Sequence, residues 1–177
     1  MKTLLLSLLL LSSLYAEAKV YLGASYGYLN ETFASGLDYT GSSTTMKAKI
    51  GYGDIGSYGV EFSVGYVENE LNVYSSNDTQ KYEFNIDLIK AFDFGIFFNP
   101  FFKGGFGTGF LQTQDVGKVT YGSFNLGLGV FVPITDYIEL ELGYDYKNLS
   151  YERPSGPESQ SNESHVNGAY AGFNVRF

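Results

Sequence analysis

The sequence predicts an all-β chain of eight antiparallel strands, closed up-and-down into a transmembrane β-barrel behind a cleaved N-terminal signal peptide. Three observations carry this. Apolar residues recur at every second position, aromatic residues and glycine are abundant while proline is scarce, and the first residues form a short apolar segment ending in small side chains. A period of two belongs to strands, whose side chains point alternately to two faces; a helix needs a period of about 3.6.

The leader comes first. Lys2 supplies a positive start, residues 4–14 an apolar middle, and Ala16-Glu17-Ala18 an A-x-A cleavage site. The apolar stretch is too short to cross a bilayer as a helix, which needs ~20 residues. Residues 1–18 therefore read as the signal peptide and residues 19–177 as one barrel domain. Cleavage removes Lys2 and Glu17, one charge of each sign, so the net charge of −8 is unchanged.

The strands follow in order. Val20, Leu22, Ala24, Tyr26 and Tyr28 alternate with Tyr21, Gly23, Ser25 and Gly27. Met46, Ala48, Ile50 and Tyr52 alternate with Lys47, Lys49, Gly51 and Gly53. Tyr58, Val60, Phe62, Val64 and Tyr66 oppose Gly59, Glu61, Ser63 and Gly65, and Tyr82, Phe84, Ile86 and Leu88 oppose Glu83, Asn85 and Asp87. Phe102, Phe106 and Phe110 oppose Lys103, Gly105, Gly107 and Gly109. Phe124, Leu126, Leu128, Val130 and Val132 oppose Asn125, Gly127 and Gly129. Ile138, Leu140, Leu142, Tyr144 and Tyr146 oppose Glu139, Glu141, Gly143, Asp145 and Lys147. In the last strand the parity switches: Ala169, Ala171, Phe173, Val175 and Phe177 oppose Gly168, Tyr170, Gly172, Asn174 and Arg176.

Connections alternate in length. Polar stretches near 30–43, 68–81, 111–120 and 148–165 are long, whereas 53–57 and 133–137 are short. Long loops on one side and tight turns on the other is the arrangement of outer-membrane barrels, with the long loops outside the cell. The segment 89–99 is too apolar for an ordinary turn, and its alternation assigns no face.

Size decides which face meets lipid. Eight strands enclose an interior just wide enough to be filled by side chains. The bulky Phe, Tyr and Leu residues of the apolar face do not fit inside; Gly, Ser, Asn and a set of pairable charges do. The expected lumen charges are Lys47, Lys49, Glu61, Glu83, Asp87, Lys103, Glu139, Glu141, Asp145, Lys147 and Arg176. In a narrow lumen these pair rather than leave a charge buried alone, and the inward glycines leave room for a small water-filled cavity. Tyr28, Tyr66, Tyr82 and Tyr146 on the loop side and Tyr52, Tyr58 and Tyr137 on the turn side match aromatic girdles at the two membrane interfaces.

Several chemistries are excluded. There is no cysteine and a single histidine, His165, so disulfides, thiolate chemistry and mechanisms needing two imidazoles drop out. The acidic balance argues against nucleic acid. No Asp-x-Asp-x-Asp-Gly run suggests calcium, and no cofactor or metal is expected. Asn-x-Ser/Thr triplets at Asn30, Asn77, Asn148 and Asn162 read as polar loop residues.

The mature chain resembles the eight-stranded outer-membrane barrels of the OmpA-like and OmpX type. The most specific element is the C-terminus, Tyr170-Ala171-Gly172-Phe173-Asn174-Val175-Arg176-Phe177. The resemblance implies a place in the outer membrane among lipid and lipopolysaccharide, handling by periplasmic chaperones, and an assembly signal at Tyr170, Phe173, Val175 and Phe177 read by the barrel-assembly machinery. Nothing resembles the peptidoglycan-binding module found in many OmpA proteins. Some barrels of this class modify lipid A with a His and a Ser or Asp at the outer rim. Here His165 stands beside Ser164, but the one-residue-spaced His and Ser of the deacylases is missing, since position 167 is Asn. No catalytic residue is expected. The leading reading is a non-enzymatic barrel with a side-chain-filled lumen and long loops, serving envelope integrity or surface interaction. A narrow channel is the alternative and lipid A modification the third.

Overall fold

A computed structural model describes residues 18–33, 39–54, 56–68, 80–113, 117–152 and 163–177. Eight strands are present: β1 (Lys19–Phe33), β2 (Tyr39–Gly53), β3 (Tyr58–Glu68), β4 (Gln80–Ala91), β5 (Asn99–Thr113), β6 (Gly117–Pro133), β7 (Ile138–Tyr151) and β8 (Glu163–Arg176). Each pairs antiparallel with the next, and β8 returns to β1, closing the barrel. Closure satisfies every strand edge inside the sheet, which a backbone in hydrocarbon requires. All but the last residue of the expected leader lie outside the described residues.

The alternation read from the sequence sets the two faces. Leu22, Leu126 and Leu140 stand on the outer wall, while Lys49, Glu61, Asp87, Glu139 and Arg176 are buried inside. The outward apolar residues of β1 fill positions 20–28, and those of β7 positions 138–146. That is the ~9–11-residue span of a tilted membrane strand. The girdle tyrosines lie on the wall as expected, with Tyr82 half-buried between Tyr66 and Phe110.

The strands then run on. Stretches expected as loops, near 30–43, 68–81, 111–120 and 148–165, hold strand in part: β1 reaches Phe33, β2 begins at Tyr39, and β5 and β6 leave only 114–116 between them. Above the membrane belt these extensions form a collar in which the polarity inverts. Asn30, Thr32, Gln112, Thr120, Asn148 and Ser150 point outward, whereas Leu29, Phe33, Leu111, Val119, Leu149 and Val166 are buried inside. Outward polar pairs such as Thr32–Thr40 and Asn30–Ser42, both at 3.2 Å, join neighbouring strands there. Water outside and apolar packing inside is the pattern of a soluble barrel. The loss of outward apolar residues marks the end of the membrane belt, not the end of the strand.

The segment 89–99 is also placed. Ile89 and Ala91 point inward, Lys90 outward, and β5 starts at Asn99. Gly95 takes φ 69°, a left-handed conformation suited to glycine, and donates its N–H to Asp93 Oδ1 at 2.7 Å.

Candidate functional site

The lumen is where the chain concentrates its chemistry, and each of the eleven charges read as inward points there. Near the turns, Arg176 grips Glu139 with two donors, Nε at 3.0 Å and Nη2 at 2.8 Å, and donates Nη1 to the Gly53 carbonyl at 3.0 Å. Glu139 on β7 is thus the ion-pair partner of Arg176 among the described residues. Asn174 bridges Glu139 and Glu141 at 2.8 and 3.0 Å. Lys49 pairs with Glu141 and lies 3.5 Å from Glu61, which also accepts from the Tyr21 hydroxyl at 2.8 Å.

The chain of contacts continues upward. Tyr170 donates to Glu141 at 2.7 Å and accepts from Lys103 at 2.9 Å. Asp145 binds Lys103 and Lys47, both at 3.0 Å, and Lys47 lies 3.6 Å from Glu83. Lys147 closes on Glu83 at 2.5 Å. Asp87 is set apart: Asn125 reaches it at 3.5 Å, and no ion pair joins it among the described residues. A lone buried charge costs several kcal/mol, so shared partners are what make such a lumen tolerable.

The glycines facing inward do not leave empty space. Tyr21 lies opposite Gly51, Phe101 opposite Gly129, Tyr121 opposite Gly109 and Tyr170 opposite Gly143. A Cβ at Gly51 would stand 2.2 Å from Tyr21 Cζ, and one at Gly143 2.4 Å from Tyr170 Cζ. The rings fill the room the glycines free, as aromatics paired with glycine across a sheet do. The small cavity expected beside these glycines is thus occupied by side chains.

Sequence reasoning missed the ends of the lumen. Toward the turns, Ile89, Ala91, Phe101 and Phe131 form an apolar cluster, with the two Phe rings stacked at 4.3 Å. Inside the collar, Leu29, Phe33, Val67, Leu111, Val119, Tyr121, Leu149, Tyr151 and Val166 form a larger one. Among the described residues it encloses a single ion pair, Lys81 on Glu31 at 2.7 Å, and Glu31 also accepts from Tyr151 at 2.7 Å and Ser164 at 2.6 Å. Glu31 and Lys81 fall in stretches expected as loops. The signal that would have found them is phase: Glu31 keeps the inward parity of β1, and Lys81 that of β4.

Ser164 and His165 part company. Ser164 is fully buried inside, while His165 points outward, stacked on Tyr146 and within 3.0 Å of its hydroxyl. Neighbours in a strand face opposite ways, so these two do not form a nucleophile and base. At the turn side the lumen opens into a shallow vestibule of about 420 Å³ lined by Lys19, Asp54, Asp136, Glu139 and Arg176. Phe177 lies on the outer wall with 68% of its surface exposed.

A closed eight-strand barrel with an apolar outer belt is one observation; the family match decides the rest. The model for the outer membrane protein beta-barrel domain matches residues 3–177. The chain belongs to that family. It is an outer-membrane β-barrel protein, located in the cell outer membrane and embedded in its lipid. Among solved structures, Neisserial surface protein A is similar at 16% identity and a TM-score of 0.71, covering 90% of this chain and 99% of that one. The attachment invasion locus protein Ail of Yersinia pestis is similar at 14% identity and a TM-score of 0.55, covering 89% and 98%. The N-terminal barrel domain of Pseudomonas aeruginosa OprF follows at 13% identity and 0.53, covering 86% and 97%. These likenesses are of fold. No curated protein sequence matches the chain.

Proposed function

We propose that this outer-membrane barrel is a closed, non-enzymatic wall element that contributes to envelope integrity and holds a collar and loops at the cell surface. The burial of its lumen charges carries the reading. Glu139, Glu141 and Asn174 are at most 1% exposed, whereas groups lining an open aqueous channel stay wet. Above them the collar interior is apolar and offers water few partners. His165 and Ser164 on opposite faces count against lipid A chemistry at the rim. The leader, residues 1–18, delivers the chain for export and is removed after Ala18, and Phe177 with Val175, Phe173 and Tyr170 presents the assembly signal to chaperones and barrel-assembly machinery.

Vesicles containing the refolded protein test the closed lumen. Placed in hyperosmotic sugar, they swell no faster than protein-free vesicles on this account. Faster swelling that falls off with sugar size would establish the narrow-channel alternative instead.

A further inference from the structure

Among the described strand residues, Lys90 is the one charged side chain on the outward face of the membrane belt. Its ammonium lies 4.0 Å from the Tyr58 ring centroid and 5.3 Å from that of Phe92, so the charge stands against two aromatic rings. Asp54 in the neighbouring turn acts on its charge but forms no ion pair with it among the described residues. A cation facing the bilayer is expensive unless it meets an anion at the interface.

Directly beside it the wall is notched. Tyr58, Lys90 and Phe102 are register neighbours, and the next row toward the membrane centre reads Val60, Leu88, Gly104, Leu126. Gly104 leaves a gap between two leucines. A Cβ there would meet Leu126 at 3.5 Å, ordinary contact, so the sheet does not demand glycine at this site. By contrast, a Cβ at inward Gly105 would lie 2.0 Å from the Ile86 carbonyl. The resulting groove has a volume of about 550 Å³, with one end at Ala18, which removal of the leader takes away, and its other walls on β2 to β6. At the tip of the same hairpin, Phe94, Ile96 and Phe97 are exposed.

We propose that this groove binds one anionic phospholipid of the inner leaflet, with its phosphate on Lys90 and an acyl chain in the notch over Gly104. The turns lie on the periplasmic side, where the leaflet is phospholipid. The ammonium offers donors to a phosphate, and the rows above it offer apolar surface to a chain. A symmetric second copy fits worse, because an isologous contact would bring two Lys90 side chains together in an apolar interface.

The chain has no tryptophan, so Phe102→Trp places a single fluorophore beside Lys90. Its quenching by chain-brominated phosphatidylglycerol is compared with that by chain-brominated phosphatidylcholine at equal mole fraction. Leu140→Trp, elsewhere on the wall, serves as the control and reports ordinary surrounding lipid. The expected result is a preference of about fivefold for phosphatidylglycerol in the Phe102→Trp variant, the factor one lysine near an anionic surface contributes, and none in the control. Adding Lys90→Gln abolishes the preference, and adding Gly104→Leu lowers quenching by both lipids. Equal quenching of Phe102→Trp by the two lipids overturns the proposal, as does the same preference in the control. Weak quenching of Phe102→Trp by either lipid overturns it as well, since a protein partner then covers the groove. Native mass spectrometry of the unmutated chain and of Lys90→Gln, each with added phosphatidylglycerol, decides the matter if Phe102→Trp fails to show heat-modifiable mobility. Equal retention of lipid by the two overturns the proposal.

Discussion

The membrane belt and the collar are built from the same eight strands with opposite polarity. In the belt, Leu140 and Leu142 face out while Glu139, Glu141 and Asp145 face in; a few residues on, Asn148 and Ser150 face out while Leu149 and Tyr151 face in. The solvent outside explains the switch. Hydrocarbon rewards apolar surface and pushes charge to the lumen, whereas above the headgroups water reverses the demand. The charges inside the two regions differ in consequence. Lumen groups in the belt share partners along a chain from Arg176 to Lys147, while Glu31 and Lys81 form one pair within an apolar cluster.

The largest expected effect breaks the collar pair. Glu31→Ala leaves Lys81 buried beside Tyr121 and Tyr151 without an ion-pair partner among the described residues, a loss of ~3–5 kcal/mol for removing one partner of a buried ion pair. Urea unfolding in lipid vesicles measures it. Replacing both partners with leucine should be neutral or stabilising, since the apolar surroundings already suit such side chains. If the single and double variants lose equal stability, the pair is not isolated in the way described.

A smaller effect separates the outer surfaces. Leu126→Arg puts a charge against hydrocarbon in the belt and costs ~2–4 kcal/mol in the same measurement. Ser150→Arg, outward and exposed on the collar, should change stability by less than ~0.5 kcal/mol. Equal penalties would place Ser150 in lipid and erase the boundary between belt and collar.

The smallest effect on the folded barrel is expected from deleting Phe177, which is largely exposed and buries little area. Refolding into vesicles should proceed as in the parent chain, while the yield in the outer membrane falls. Equal yields in both settings would mean that the C-terminal residues carry no assembly signal.

How much of this is legible in the sequence depends on the solvent each residue meets. The belt is legible strand by strand, because lipid demands an unbroken outward series such as Phe124, Leu126, Leu128. The collar is not, because the outward apolar residues that mark a strand in lipid stop where water begins. Leu29, Glu31 and Phe33 nevertheless continue the inward parity of Tyr21 and Ser25 without a break. Nothing in the alternation could pair Arg176 with Glu139 rather than Glu61, or set Tyr170 over Gly143; those follow from register and closure. Segment 89–99 resists because it holds an inward apolar cluster, an outward lysine and an exposed aromatic turn in quick succession.

Water access along β7 tests the inverted, filled barrel most directly, and the absence of cysteine makes the measurement clean. Single variants Leu140→Cys, Leu149→Cys and Ser150→Cys are folded into vesicles and exposed to a membrane-impermeant maleimide. Rapid labelling of Ser150→Cys alone is the predicted result, with Leu140→Cys shielded by lipid and Leu149→Cys by the collar interior. Labelling of Leu149→Cys as fast as Ser150→Cys would mean a water-filled collar and would contradict the account.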